Sequence, residues 1–191
     1  MEHSNWKKYM YLVAIPSGEL FEEAIRIQKI LSDSLGIYKE TPPSVHITIS
    51  AVKMLKKEEL EAFNRCVKNV LTDFSPIKVE SYRFGYFPEP HNSLILKVED
   101  DQRLRHLQKS LEQALDIQGF LVPSLVDKWI FHMTILSEIF ASTSLKTDEF
   151  LKICQRLSLK KVPIRGVVER LELWKPELEK EKRVVNEYML D

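Results

Sequence analysis

Apolar and polar positions along this chain keep two rhythms, one of period two and one near 3.6, and they take turns. Tyr9 to Ile15 (YMYLVAI) is β-rich and halts at Pro16-Ser17-Gly18. Residues 18–35 follow with Leu20, Phe21, Ile25, Ile27, Ile30 and Leu31 at helical spacing, and Gly36 is a C-terminal stop signal. After Thr41-Pro42-Pro43 the stretch 45–52 alternates like a strand, and 58–74 returns to the helical period through Leu60, Phe63, Val67, Val70 and Leu71. Residues 77–87 and 93–98 predict a hairpin across the turn-forming string 88–92. A helix over 100–116, opened by Asp100-Asp101, precedes a strand at 128–136 and a helix near 147–157. The chain closes with strands at 162–174 and 183–190, paired across the charged turn 176–182. No Ser/Gly-rich or low-complexity linker divides it, so residues 1–191 are expected to form a single domain.

Composition narrows the partners more than the fold. With 44% hydrophobic and 29% charged residues the chain falls among ordinary globular proteins. Its 28 Lys plus Arg balance 28 Asp plus Glu. Gripping a long duplex normally takes a basic excess, because phosphate contacts supply most of that affinity. A small or terminal phosphate therefore fits better than long duplex nucleic acid. No apolar run approaches the ~18 residues that span a bilayer, and residues 1–8 lack a signal core, so no membrane partner and a cytoplasmic location are expected. Cys66 and Cys154 lie in amphipathic helical stretches outside any CxxC or Cys/His cluster, and read as free thiols in a reducing compartment.

The chemistry concentrates in one repeated triplet, His46-Ile47-Thr48 and His132-Met133-Thr134. Residues two apart on a strand share a face, so each His projects beside its Thr while Val45, Ile47 and Ile49, or Phe131, Met133 and Ile135, turn the other way. Ser50 is expected to continue the polar face of the first copy, and Leu136 to interrupt that of the second. Five His and six Thr in 191 residues give about 0.16 such triplets by chance, so a pair in matching strands is a strong signal. Both residues recur at an offset of 86, which suggests two related lobes about a pseudo-two-fold axis. The first lobe reads strand–helix–strand–helix and the second hairpin–helix–strand–helix–hairpin.

The two triplets, with Pro43-Ser44 before the first, resemble the 2H phosphoesterase superfamily, named for its two H-x-[T/S] motifs. Its relatives include bacterial RNA 2′,3′-cyclic phosphodiesterases described as 2′-5′ RNA ligases. The resemblance implies an α+β fold of two pseudo-symmetric αβ lobes with antiparallel sheets flanking a central cleft. It also implies functional roles at the four matching positions, His46, Thr48, His132 and Thr134. Physical chemistry agrees: one neutral and one protonated imidazole coexist near neutral pH as base and acid, and Thr hydroxyls donate to phosphate oxygens. A phosphodiesterase acting on 2′,3′-cyclic phosphates or 2′-5′-linked oligonucleotides is expected, with a bell-shaped pH profile. A noncatalytic module that binds nucleotides or RNA ends is the alternative from another class. Which histidine is the base stays open.

The remaining expectations are blander. Two His with hydroxyls is a poor ligand set, so no metal or other cofactor is expected, and the protein is expected to be a monomer. Tyr11, Tyr86, Phe87 and Trp174 lie on strands that could border the cleft and offer a base platform, although core packing is the commoner role for each. Arg165 and Lys175 could meet a phosphate. His91 reads as a solvated turn residue, His106 as helix packing, and 177–183 (ELEKEKR) as a solvated turn.

Overall fold

A computed structural model describes residues 8–38, 42–88, 92–123, 129–142 and 147–190. The expected order of elements holds, with shifted ends. Strand β1 (Tyr9–Ser17) runs on through Pro16. Helix α1 (Glu19–Leu35) buries Leu20, Ala24, Gln28 and Ser32, one stripe at four-residue spacing. It stops where Gly36 takes the left-handed conformation (φ 60) and its N–H reaches Ser32 O at 2.8 Å. Strand β2 (Ile47–Lys53) begins two residues later than expected, so Val45 and His46 lead into it. Helix α2 (Leu60–Leu71) buries Phe63, Val67 and Leu71. The hairpin strands are β3 (Ile77–Phe87) and β4 (Ser93–Val98). Helix α3 (Gln102–Ile117) starts from Asp101, whose carboxylate accepts Arg103 N–H at 2.7 Å.

Strand β5 (His132–Ser137) starts at the second histidine rather than at 128, and residues 124–128 lie outside the described set. After a 3-10 turn at Glu138–Phe140 come helix α4 (Thr147–Ser158), strand β6 (Arg165–Trp174), a short helix α5 (Lys180–Arg183) and strand β7 (Val184–Met189). The expected closing turn thus contains a helical turn of its own. His3 and His91 fall outside the described residues.

All ladders are antiparallel, in the order β1-β2-β5-β4-β3-β6-β7, and β6 also pairs with β1. Six strands therefore close into a ring, with β7 on its outside. Two joints in the ring are short. β2 meets β5 through the single register pair Ile47↔Met133, and β3 meets β6 through Ile77–Glu80 against Arg165–Val168. These seams divide the molecule into two α+β halves, β2-β1-β6-β7 and β5-β4-β3. The halves are not the first and second parts of the chain: the closing hairpin β6–β7 belongs with β1, because Tyr11 to Ala14 pair along Leu171 to Trp174.

The core lies between the sheet and the helices and includes Leu12, Ala14, Ile47, Ile49, Leu94, Leu96, Met133 and Ile135, all at most 1% exposed. Each fully buried Leu or Ile contributes about 1.5–3 kcal/mol. Cys154 belongs to this core and Cys66 packs half-buried beside it; both are free thiols, and burial pushes Cys154 up to about 12. Among the described residues no helix is long and apolar enough to cross a membrane.

Candidate active site

The pair Ile47↔Met133 is the centre of the site. One residue to either side along this antiparallel ladder, His46 stands opposite Thr134 and Thr48 opposite His132. Directly opposed residues share a face with Cβ atoms about 4.5–5.5 Å apart. The two triplets therefore cross, each histidine beside the other motif's threonine. Ile47 and Met133 point to the core, both fully buried.

Each imidazole is aimed by the segment that leads into its own strand. His46 Nδ1 lies 2.8 Å from Ser44 O, and His132 Nδ1 lies 2.7 Å from Ile130 O. A carbonyl only accepts, so both Nδ1 atoms carry hydrogen and both Nε2 atoms are left for chemistry. An aromatic ring backs each one. Trp174 stands 4.5 Å from His46, centroid to centroid, and Phe87 meets His132 edge-on at 5.1 Å.

Burial pushes the His46 imidazole down to about 4, helped by the charges of His132 and Arg183 and opposed by the Ser44 carbonyl. His132 is pushed down as well, chiefly by burial. Both rings therefore favour the neutral form in the unliganded protein, and an anion between them would raise both.

A cavity of about 290 Å³ opens over this face, lined by Tyr11, Ser44, His46, Thr48, Phe87, Thr134, Trp174 and Arg183, among others. Tyr11 and Trp174 thus line the cavity. Tyr86 does not: it pairs with Leu94, whose face looks to the core side, while its neighbour Phe87 takes the cleft face. Lys175 lines the cavity; Arg165 is exposed on β6, paired with Glu80 at 2.9 Å. His106 meets Phe74 at 5.3 Å on the outer side of α3.

Ser50 and Leu136 correct the simple alternation. In β2 the register steps from Val13↔Thr48 to Leu12↔Ser50, so Ile49 is a bulge. In β5 it steps from Ile95↔Thr134 to Leu94↔Leu136, so Ile135 is a bulge at the matching place. One extra residue reverses every later side chain. Ser50 therefore turns to the helices, 1% exposed, with its hydroxyl 3.5 Å from Glu112 on α3. Leu136 is its counterpart in the core, so it does not interrupt a polar face. Beyond the second bulge Ser137 re-enters the cleft, where its hydroxyl accepts from Ser93 at 3.1 Å.

Several site residues are not visible in the sequence. Arg183 belongs to a run that reads as solvated, yet it is 7% exposed. Its guanidinium lies 4.2 Å over Trp174 and donates to Ser44 Oγ and Leu178 O, each at 2.8 Å. Trp174 in turn donates to the buried Glu172 at 2.6 Å. Gln28 of α1, 5% exposed, sends its amide to Pro43 O at 3.0 Å and Ile135 O at 3.1 Å, tying together the strands that carry the two motifs. Trp129 adds a second tie, its indole donating to Thr48 O at 3.1 Å. Periodicity marks none of these, because a buried polar partner on another element leaves no local pattern. Among the described residues no three His, Cys, Asp or Glu side chains converge as a metal site would need.

Comparison with known proteins follows the same outline. The family model for the 2′-5′ RNA ligase superfamily matches residues 12–179. Among solved structures, TT0787 of Thermus thermophilus superposes with a TM-score of 0.68 at 16% identity, covering 95% of this chain and 97% of its own. LigT of E. coli in its apo form gives 0.61 at 11% identity, covering 95% and 96%. LigT complexed with 3′-AMP gives 0.58 at 12%, covering 96% and 97%. At these identities the likeness concerns the fold. No curated protein matches the chain significantly. A family match across most of the chain, on a ring that crosses two HxT triplets and sets His46, Thr48 and Thr134 in the wall of one cavity, leads to one assignment: this chain belongs to the 2′-5′ RNA ligase superfamily.

Proposed function

We propose that this protein is a metal-independent phosphodiesterase acting on 2′,3′-cyclic phosphate ends or 2′-5′ linkages of small RNA-type substrates. The observation that carries the reading is the crossed arrangement of two Nδ1-anchored histidines and two threonines around one register pair. The phosphorus would sit between the Nε2 atoms, with Thr48 and Thr134 donating to its non-bridging oxygens. One imidazole takes a proton from the attacking water as the P–O bond to the ribose oxygen breaks, and the other imidazolium protonates that departing oxygen. We assign the base role in hydrolysis to His46, because burial and the neighbouring Arg183 cation favour its neutral form. His132, farther from that cation, takes the acid role once substrate anion is bound. That a relative was crystallised with 3′-AMP is consistent with a nucleotide-sized occupant.

The test is a substrate panel in the presence of EDTA: nucleoside 2′,3′-cyclic phosphates, and 2′-5′ and 3′-5′ oligoadenylates, with product ends analysed. Turnover that disappears in both His46→Ala and His132→Ala supports the reading. Tight binding of a cyclic-phosphate oligonucleotide without any conversion would favour a binding module instead.

A further inference from the structure

The cleft face continues past His132, and what lies there is basic. His132 is paired with Lys97 of β4, and Lys97 with Arg83 of β3. Arg83 in turn makes an isolated antiparallel bridge to Lys161. Directly opposed residues share a face, so Lys161, Arg83, Lys97, His132 and Thr48 form one row across the strands. Strands lie about 4.8 Å apart, which puts Lys97 one spacing and Arg83 two, roughly 10 Å, from the histidine.

Among the described residues no carboxylate forms an ion pair with Lys97, Arg83 or Lys161, but the same holds for Lys53, Lys68 and Lys78, so missing partners alone do not mark the row. Two features separate it from ordinary surface charge. Lys97 is half-buried, and its stem lies flat on the sheet over Gly85: a Cβ there would come within 2.5 Å of Lys97 Cε. Glycine thus clears a track for a lysine that keeps to the cleft face. The corresponding position in the other half, opposite Val13 as Gly85 is opposite Ile95, is the buried Glu172. Lys97 itself corresponds to Ile15, which extends the Ala14↔Ile47 pair toward His46, so the lysine has no basic counterpart in the other half.

We propose that Lys97 and Arg83, with Lys161 beyond them, bind a second phosphate of the substrate. The protein then selects substrates carrying at least one phosphate besides the scissile one, such as short single-stranded oligonucleotide ends, over mononucleosides. The inference rests on the phosphodiesterase reading for which phosphate is first, and adds where the next one goes. Three cations in a row suit a short strand and agree with the absence of a general basic excess.

Two measurements separate its failure from failure of that reading. In the first, kcat/KM is compared for a mononucleoside 2′,3′-cyclic phosphate and a trinucleotide with the same end. The wild type is expected to prefer the trinucleotide about tenfold or more, through KM. Lys97→Met, which keeps the stem over Gly85, and Arg83→Gln are expected to erase most of that ratio, while Arg65→Gln, an ion-paired cation on α2, keeps it. In the second, calorimetry compares a nucleoside 3′-phosphate with a trinucleotide ending in a 3′-phosphate. The trinucleotide should bind more tightly and more salt-dependently, each removed cation flattening the log–log slope by about 0.7. This readout needs no turnover. A trinucleotide preference that is absent in the wild type, or equal in wild type, Lys97→Met and Arg83→Gln, overturns the proposal.

Discussion

The two halves of the site share a backbone plan and differ in what they set around it. In each half a histidine gives its Nδ1 hydrogen to the carbonyl two residues back, a threonine follows, and a bulge comes next. An aromatic residue at corresponding positions, Trp174 opposite Tyr11 and Phe87 opposite Ser93, backs each imidazole. The surroundings then part. The His46 half is dense: Trp174 is 6% exposed, sandwiched with a buried guanidinium and anchored to a buried carboxylate. The His132 half is open and carries glycine, a lysine stem and exposed arginine in place of that stack. A duplicated frame supplies two similarly held imidazoles; on the proposed reading, the unequal shells give them different work.

The largest expected effect tests the shared plan. His46→Ala and His132→Ala should each lower kcat on a cyclic phosphate by about 10²–10⁴. Steady-state kinetics in which one variant keeps activity within tenfold of wild type would break the equivalence.

Stability should then reveal the unequal shells. Trp174→Ala is expected to cost about 3–5 kcal/mol, the range for a buried aromatic. Phe87→Ala, from a half-buried ring, should cost less than about 3 kcal/mol. Urea unfolding of both variants measures the gap, and equal losses would contradict the dense-and-open contrast.

Third comes pH. Both histidines are held below their unfolded value of about 6.5. The unfolded chain therefore binds more protons as pH falls from 6.5 toward 4, so the stability that the neutral rings contribute is complete above 6.5 and is lost across that window. His46→Asn should flatten this dependence in unfolding curves at pH 7 and 5. Added inorganic phosphate should move the His46 titration, followed by NMR, upward from about 4.

The smallest effect is expected at Gly85→Ala. The added methyl meets only the far end of the Lys97 stem, which swings away, so unfolding should change by less than about 1 kcal/mol. A larger loss would mean that the lysine is clamped rather than laid across the glycine.

How much of the molecule is legible in its sequence follows from where each signal resides. Element order, both triplets and their common offset are readable, because strand alternation and helix stripes are local. Ile49 and Ile135 as bulges are not: each continues an apolar alternation, and only the partner strand's register shows the extra residue. Alternation alone therefore puts Ser50 in the cleft and passes over Ser137. The same holds for Arg183, whose charged neighbours hide its burial against Trp174, and for β6–β7, whose place beside β1 depends on contacts some 160 residues away in sequence. Tyr86 and Phe87 are equal candidates in sequence, and the pairing with Leu94 and Ser93 assigns their faces.

The carbonyls of Ser44 and Ile130 have one further consequence. Because each lies in the same short segment as the imidazole it orients, the tautomer and aim of that ring travel with a stretch of about five residues. A strand copied elsewhere in a gene would bring a ready-aimed histidine with it, and the fold would have only to bring two copies face to face. The motif is in that sense a transferable cassette, with orientation inherited locally and proximity supplied by the ring.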